Sequence, residues 1–306
     1  QRLRVQGLIV FDWADRIGEA IAELGSWHAA GQLKIREDVR EGGMGKVFFL
    51  EREDGHFSVV HRRQLAAKTF KPHFSRKDIH RELDIWMHLS HPNILPLNAV
   101  GHIDDELAAL SPWRTLGTLY ELSAEDRSNY SIMKKLLLEI SKALEYAWNE
   151  LRVLHLDIKP SNIFLGKLTG ELEVADWGIA RIMSENEILK AKSSKEFKVS
   201  GTLPFMSPER FFPGYLPSFQ ADIYSIGMLA LQLVTGQLPF ENNKLYPEAI
   251  VSGDYRVNAK RLLNNISPSW QHLVLKCISH EPTARFESYG DLISSINKLP
   301  TNGTRI

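Results

Sequence analysis

The sequence predicts an α+β protein of two lobes, and three observations predict it. Strand signals crowd into Leu33 to Lys71, whereas helical signals dominate beyond Gly117. Strands first and helices after is the order of a segregated α+β architecture; an α/β sheet would alternate them. The 306 residues suffice for one large domain or two small ones, and 43% hydrophobic with 24% charged residues is the composition of a globular chain. No internal repeat, low-complexity run or long linker interrupts the order, which excludes a solenoid.

Each element has its own reason. Residues 1–31 read as a separate leading segment, because Ile17, Ile21, Leu24 and Trp27 recur at helical spacing up to Gly31. Val47, Phe48, Phe49 and Leu50 form a strand running into the turn Glu53-Asp54-Gly55, and Leu65 to Phe70 form another. Asp78 to Leu89 is helical until His91-Pro92-Asn93 breaks it. Helices are then expected at Met133 to Trp148, Gln220 to Leu233, Trp270 to Ser279 and Tyr289 to Leu299.

Charge and cysteine content narrow the function. Lys plus Arg and Asp plus Glu are both 37. Such balance lacks the basic excess that extended phosphate contacts need, so nucleic acid is not the expected partner. A lone cysteine, Cys277, cannot form an internal disulfide, which fits a reducing, cytoplasmic setting. The longest apolar stretch, Ile226 to Val234, is too short for a membrane segment. No signal peptide is recognisable, and Gln1 in place of Met suggests a piece of a longer chain.

Chemistry enters with Val39-Arg40-Glu41-Gly42-Gly43-Met44-Gly45-Lys46-Val47. Glycines between two strands let backbone N–H groups approach a polyphosphate with no Cβ in the way, although a plain turn would read the same. Leu65-Ala66-Ala67-Lys68 places a lysine on a strand, and Glu82 lies on the helix that follows. Such a pair can aim an ammonium at phosphate oxygens. The most specific run is His155-Leu156-Asp157-Ile158-Lys159-Pro160-Ser161-Asn162. There an aspartate and an asparagine can serve a hydroxyl nucleophile and Mg²⁺, and Lys159 can neutralise a phosphoryl group in transfer. Asp176-Trp177-Gly178 adds an acidic metal ligand, a bulky anchor and a flexible glycine. Singly each could be a polar loop; together and in this order they leave that reading little room.

In these motifs the chain resembles the eukaryotic-type (Hanks-type) serine/threonine protein kinase family over about residues 33–299. Gly201-Thr202-Leu203-Pro204-Phe205-Met206-Ser207-Pro208-Glu209 is similar to the end of its activation segment, and Asp222-Ile223-Tyr224-Ser225-Ile226-Gly227 to its buried central helix. Arg285 matches the arginine that pairs with Glu209, and the catalytic-loop and glycine-loop wording is similar to bacterial members. The resemblance implies a bilobal kinase-like fold: an N-terminal helical extension at 1–31, an N-lobe at 32–111, hinge and C-lobe at 112–300, and a tail at 301–306. It also implies an ATP- and Mg²⁺-dependent enzyme acting on protein serine or threonine hydroxyls, its own included. Gly42, Gly43 and Gly45 would cover the phosphates, with Val39 leading into the loop, and Lys68 paired to Glu82 would hold the α- and β-phosphates. Adenine would lie between Val47 and Ala66 on one side and Phe164 on the other, with Ser111 as gatekeeper and Trp113 in the hinge. Asp157 would orient the substrate hydroxyl, Lys159 would steady the γ-phosphoryl group, Asn162 and Asp176 would bind Mg²⁺, and Thr202 would contact Asp157 and Lys159.

Four departures stand out. Arg40 occupies the first glycine's place, the stretch from Gly45 to Lys68 is long, and Trp177 replaces a phenylalanine in an expected stack of Leu97, Trp86, Trp177 and His155. Leu156 replaces the arginine that in the family receives the activation-loop phosphate. None removes a group that does chemistry. The rival readings are a nucleotide-binding pseudokinase or scaffold, disfavoured by the complete set of reacting residues, and a small-molecule kinase, disfavoured by the Gly201–Glu209 run. His80, His88 and His91 lack converging ligands for zinc.

Overall fold

A computed structural model describes residues 5–10, 33–41, 46–52, 64–70, 76–103, 106–166, 171–177, 181–182, 201–212, 214–240 and 246–301. The chain divides into two compact units, Gln1–Ser90 with Leu95–Thr115, and His91–Ile94 with Leu116–Ile306.

The first unit is built on one antiparallel six-stranded sheet. In spatial order its strands are β1 (Val5–Val10), β5 (Ala99–Ile103), β6 (Glu106–Pro112), β4 (Gln64–Thr69), β3 (Lys46–Arg52) and β2 (Leu33–Glu41). Alternation sets the faces of β4: Leu65, Ala67 and Thr69 are buried, while Gln64, Ala66 and Lys68 are half-buried. Helix α1 (Arg76–His88) buries Ile79, Leu83 and Trp86, spaced at four and three residues. Its exit is pinned by the Trp86 indole N–H, which donates to the Leu95 carbonyl at 2.6 Å.

Two expectations change here. The leading segment is not wholly helical, because Val5–Val10 is a strand paired with β5. Its apolar residues Val5, Leu8, Ile9 and Val10 suit a strand as well as a helix face when the run is this short. The stripe Ile17 to Trp27 and the turn after β3 lie outside the described residues. The unit boundaries also differ from those read in the sequence. Trp113 stays with the sheet, its N–H donating to Gln64 and its ring 4.8 Å from that of Phe49. His91–Ile94 belong to the second unit, where Ile94 bridges Val174 and the Val174 N–H donates to the Asn93 carbonyl. His91 has a local role too, stacked on Tyr146 at 5.2 Å and accepting the Asn93 N–H.

The second unit is helical around one buried helix. Helix α2 (Ala124–Ser128) leads into α3 (Tyr130–Leu151), which is capped by Asn129, whose Oδ1 accepts the N–H groups of Ser131 and Ile132. It buries a stripe of Met133, Leu136, Leu137, Ile140, Leu144 and Ala147 and ends at left-handed Arg152. Helix α4 (Phe219–Thr235) is buried from Ala221 to Leu231, the pattern of a helix with neighbours all round, and stops at left-handed Gly236. Around it and α3 stand α5 (Tyr246–Ser252), α6 (Tyr255–Leu262), α7 (Pro268–Cys277) and α8 (Tyr289–Asn297). Two small sheets frame the chemically interesting loops: β7 (Val153–Leu154) pairs with β10 (Arg181–Ile182), and β8 (Ile163–Leu165) with β9 (Leu172–Val174). Residues 155–162 therefore link β7 to β8, and residues 175–180 link β9 to β10.

Candidate active site

In the first unit, the β4 register decides what gathers. Val47 lies opposite Lys68, and Ala66 lies between Phe49 and Ser111. Directly paired and alternate residues share a face, so Val47, Ala66, Lys68 and Ser111 stand together on the half-buried one. Lys68 Nζ donates to Glu82 Oε1 at 2.8 Å, and Glu82, on the buried side of α1, is only 6% exposed. Val39 falls where the β2–β3 register shifts between Arg36 and Arg40, and Arg40 pairs with Val47. Gly42, Gly43 and Gly45 lie outside the described residues.

In the second unit, Asp157 is the hub of residues 155–162. Lys159 Nζ donates to Asp157 Oδ2 at 2.8 Å and to Thr202 Oγ1 at 2.7 Å, while the Thr202 N–H donates to Asp157 Oδ1 at 3.0 Å. Asn162 Nδ2 donates to the Asp157 carbonyl at 2.9 Å and to its Oδ2 at 3.1 Å. With its NH₂ spent on Asp157, Asn162 has only its Oδ1 as an acceptor; the Ser161 hydroxyl donates to it at 3.3 Å, and its second lone pair is what a hard cation would want. Asp176 has φ of 67°, the left-handed region that a non-glycine residue enters only when its surroundings hold it there. They do: on its N-terminal side the Ala175 N–H donates to the Asn162 carbonyl and the Ala175 carbonyl accepts from His155, while Trp177 is fully buried. Phe164, on β8, bridges Thr118.

Behind the loop stands Asp222, fully buried on α4. Its Oδ2 accepts the His155 N–H at 2.9 Å and its Oδ1 the Leu156 N–H at 2.7 Å; the Tyr289 hydroxyl donates at 3.3 Å. Burial pushes this carboxyl above the usual carboxylate range, opposed by His155, by the two N–H groups and by Arg210. His155 Nδ1 accepts the Asp157 N–H, so Nε2 carries the proton and donates to the Ala175 carbonyl at 3.1 Å. That imidazole thus joins the two loops, and its ring lies 4.6 Å from Trp177. Of the expected four-residue stack, Trp177 and His155 meet within this unit, and Trp86 and Leu97 belong to the first. The larger side chain brings a buried indole N–H that finds no hydrogen-bond partner among the described residues.

Glu209 and Arg285 pair as the sequence suggests, in a bidentate bridge of 2.7 Å on both arms, with the Arg285 side chain fully buried. Arg285 also donates to the carbonyls of Gln220, Ser279 and His280. Three contacts carry no sequence signal: His155 to the Asp157 N–H, Tyr289 to Asp222, and the Arg210 guanidinium to the Leu156 carbonyl.

The protein kinase domain family matches residues 33–295. Mouse Aurora kinase B is 28% identical over 270 residues, 84% of this chain and 74% of that protein. The serine/threonine-protein kinase PrkC of Bacillus subtilis is 26% identical over 274 residues, covering 87% of this chain but 40% of PrkC. The serine/threonine-protein kinase PknD of Protochlamydia amoebophila is 27% identical over 305 residues, covering 86% of this chain and 29% of PknD. The chain thus spans most of the Aurora kinase and less than half of these two bacterial ones.

Proposed function

The chain belongs to the protein kinase family, and from that premise we propose how its residues divide the work of an ATP-dependent serine/threonine kinase. The reaction forms a bond between a substrate hydroxyl oxygen and the γ-phosphorus of ATP. The bond from that phosphorus to the β–γ bridging oxygen breaks, and ADP leaves. The hydroxyl proton passes to the Asp157 carboxylate, which Lys159, Asn162 and Thr202 hold in one orientation. Lys159 faces the γ-phosphoryl oxygens as charge shifts in the transition state, and Lys68, aimed by Glu82, holds the α- and β-phosphates. Val39, Gly42, Gly43 and Gly45 cover the phosphates, and Val47, Ala66, Ser111, Trp113 and Phe164 receive the nucleobase. Asn162 Oδ1 and the Asp176 carboxylate form a hard-oxygen pair suited to Mg²⁺, which when bound offsets phosphate charge. The acceptor is a protein serine or threonine hydroxyl, as the names of PrkC and PknD suggest, and this chain's own hydroxyls are included in the proposal. The lone buried Cys277 suits a cytoplasmic setting; among the described residues no helix is long and apolar enough to cross a membrane.

The observation that carries this reading is the Lys159 ammonium held between Asp157 and Thr202, because it ties the reacting carboxylate to a hydroxyl-bearing residue of the Gly201–Glu209 run. The test is phosphosite mapping after incubation with Mg-ATP and a generic basic protein. The wild type should produce phosphoserine and phosphothreonine, and Asp157→Asn should lose at least ~100-fold of the rate. Nucleotide binding without phosphoryl transfer by the wild type would make the protein a pseudokinase instead.

A further inference from the structure

The residue before the reacting carboxylate is under unusual constraint. Leu156 has φ of 65°, a left-handed conformation that an L-residue with a full side chain rarely adopts. Such a conformation persists only where several contacts require it. Leu156 has three handles, and all are held. Its N–H goes to Asp222 Oδ1 at 2.7 Å. Its side chain is buried against Leu154 and Ala221, with Trp148 and Phe219 packed alongside. Its carbonyl accepts a charge-assisted hydrogen bond from Arg210 Nη1.

The third handle bears on catalysis. The Leu156 carbonyl and the Asp157 N–H are opposite ends of one planar peptide group. Arg210 grips the carbonyl end, and His155 Nδ1 accepts from the N–H end at 3.2 Å. Fixing both ends fixes the rotation of that plane, and hence the direction in which the Asp157 side chain leaves the backbone. We propose that Arg210 is a positioning residue for Asp157: through the Leu156 carbonyl it supplies the cation that Leu156 itself, standing where the family has arginine, cannot. The assignment rests on the kinase reading above and adds a residue to it.

Arg210 is well placed for this. It sits in the short turn Pro208–Phe211, directly after Glu209, whose carboxylate is anchored by fully buried Arg285. The anchor holds the turn still, so the guanidinium is presented from a rigid support. The Leu156 carbonyl, unlike a loop phosphate, belongs to the unmodified chain, so this hold does not require a modification to be added.

The test uses Arg210→Met, which keeps the chain length but has no donor, and Arg210→Lys, which restores a cationic donor. Arg210→Met should lower kcat by about 10- to 100-fold, the worth of one charge-assisted hydrogen bond, with KM for ATP within about threefold. Arg210→Lys should recover at least half of the loss on a logarithmic scale. Amide exchange provides a readout independent of activity. In Arg210→Met the amides of His155, Leu156 and Asp157 should exchange at least ~10-fold faster, while those of α1 around Glu82 keep their wild-type rates. Unchanged exchange at 155–157 would overturn the assignment, and so would wild-type kcat in a well-folded Arg210→Met. A fall in kcat that Arg210→Lys does not relieve would reduce Arg210 to packing. An inactive wild type would count against the kinase reading alone, and the exchange experiment would still decide the role of Arg210.

Discussion

Lys68 and Glu82 meet at 2.8 Å with the glutamate almost wholly buried, so removing either charge takes this ion pair from the other. If the pair acts as a unit, Lys68→Met and Glu82→Gln should each lower kcat/KM, and the double change should cost much less than their sum. A double-mutant cycle should return a coupling of at least ~1 kcal/mol; full additivity would mean that the two side chains act separately. Asp176 invites a second substitution. Asp176→Asn is isosteric and keeps the left-handed backbone accessible, since asparagine enters that region readily. Folding should survive while kcat falls at least ~100-fold, about 2.7 kcal/mol, through loss of the carboxylate proposed to hold Mg²⁺. Wild-type turnover in this variant would remove Asp176 from the site. At this scale the sequence was informative wherever the reaction itself demands a residue type. The structure pairs Lys68 with Glu82 and gathers Lys159 and Asn162 on Asp157, contacts that residue type and spacing had suggested. The clamp on Leu156 was not legible, because a carbonyl is a carbonyl whatever its side chain. Nothing in residue type points from Arg210 to a backbone oxygen 54 positions earlier.

Elements were legible in proportion to their burial on one face. The long helices α1, α3, α4, α7 and α8 carry apolar stripes and fall within a few residues of where periodicity predicts them. Helix α6 was missed because it buries only Tyr255 and Ala259 among polar neighbours, too little to make a pattern. The strand at Val5–Val10 was missed because a short apolar run fits either period. Packing between elements offers a sharper prediction at Gly227 on α4. A Cβ built there would lie 2.4 Å from Cys277 Cβ on α7 and 2.8 Å from Ile278 Cγ2, so glycine is what lets the two helices approach. Gly227→Ala should destabilise the protein by about 1–3 kcal/mol despite alanine's better helix propensity, because neither backbone-proximal neighbour can yield cheaply. Chemical denaturation would measure it, and an unchanged midpoint would show that the helices can part. Cys277, its thiol pushed up to about 12 chiefly by burial, is a packing partner here rather than a nucleophile.

The Lys68–Glu82 pair lies in the first unit, and the Asp157, Lys159, Asn162 and Asp176 set lies in the second. Control of the whole molecule then turns on what fixes the second set. In the family an activation-loop phosphate does so by pairing with the arginine before the reacting aspartate, gaining one to three charge-assisted hydrogen bonds. Leu156 has no such donor to offer, and its backbone is already held by Asp222 and by Arg210. The coupling between loop phosphate and Asp157 should therefore be weak. Ser193, Ser194 and Ser200 lie between Asp176 and Gly201, and Lys190, Lys192, Lys195 and Lys198 keep that stretch polar. Thr202 is set apart because its hydroxyl and N–H already serve Lys159 and Asp157. Changing all three serines to alanine should leave kcat/KM within about threefold, well under ~1 kcal/mol. A loss of about 100-fold, restored by glutamate at one of the three positions, would show that a basic group receives a loop phosphate after all. With the three serines dispensable, residues 1–31 would be the next segment to test, by trimming them and measuring kcat/KM.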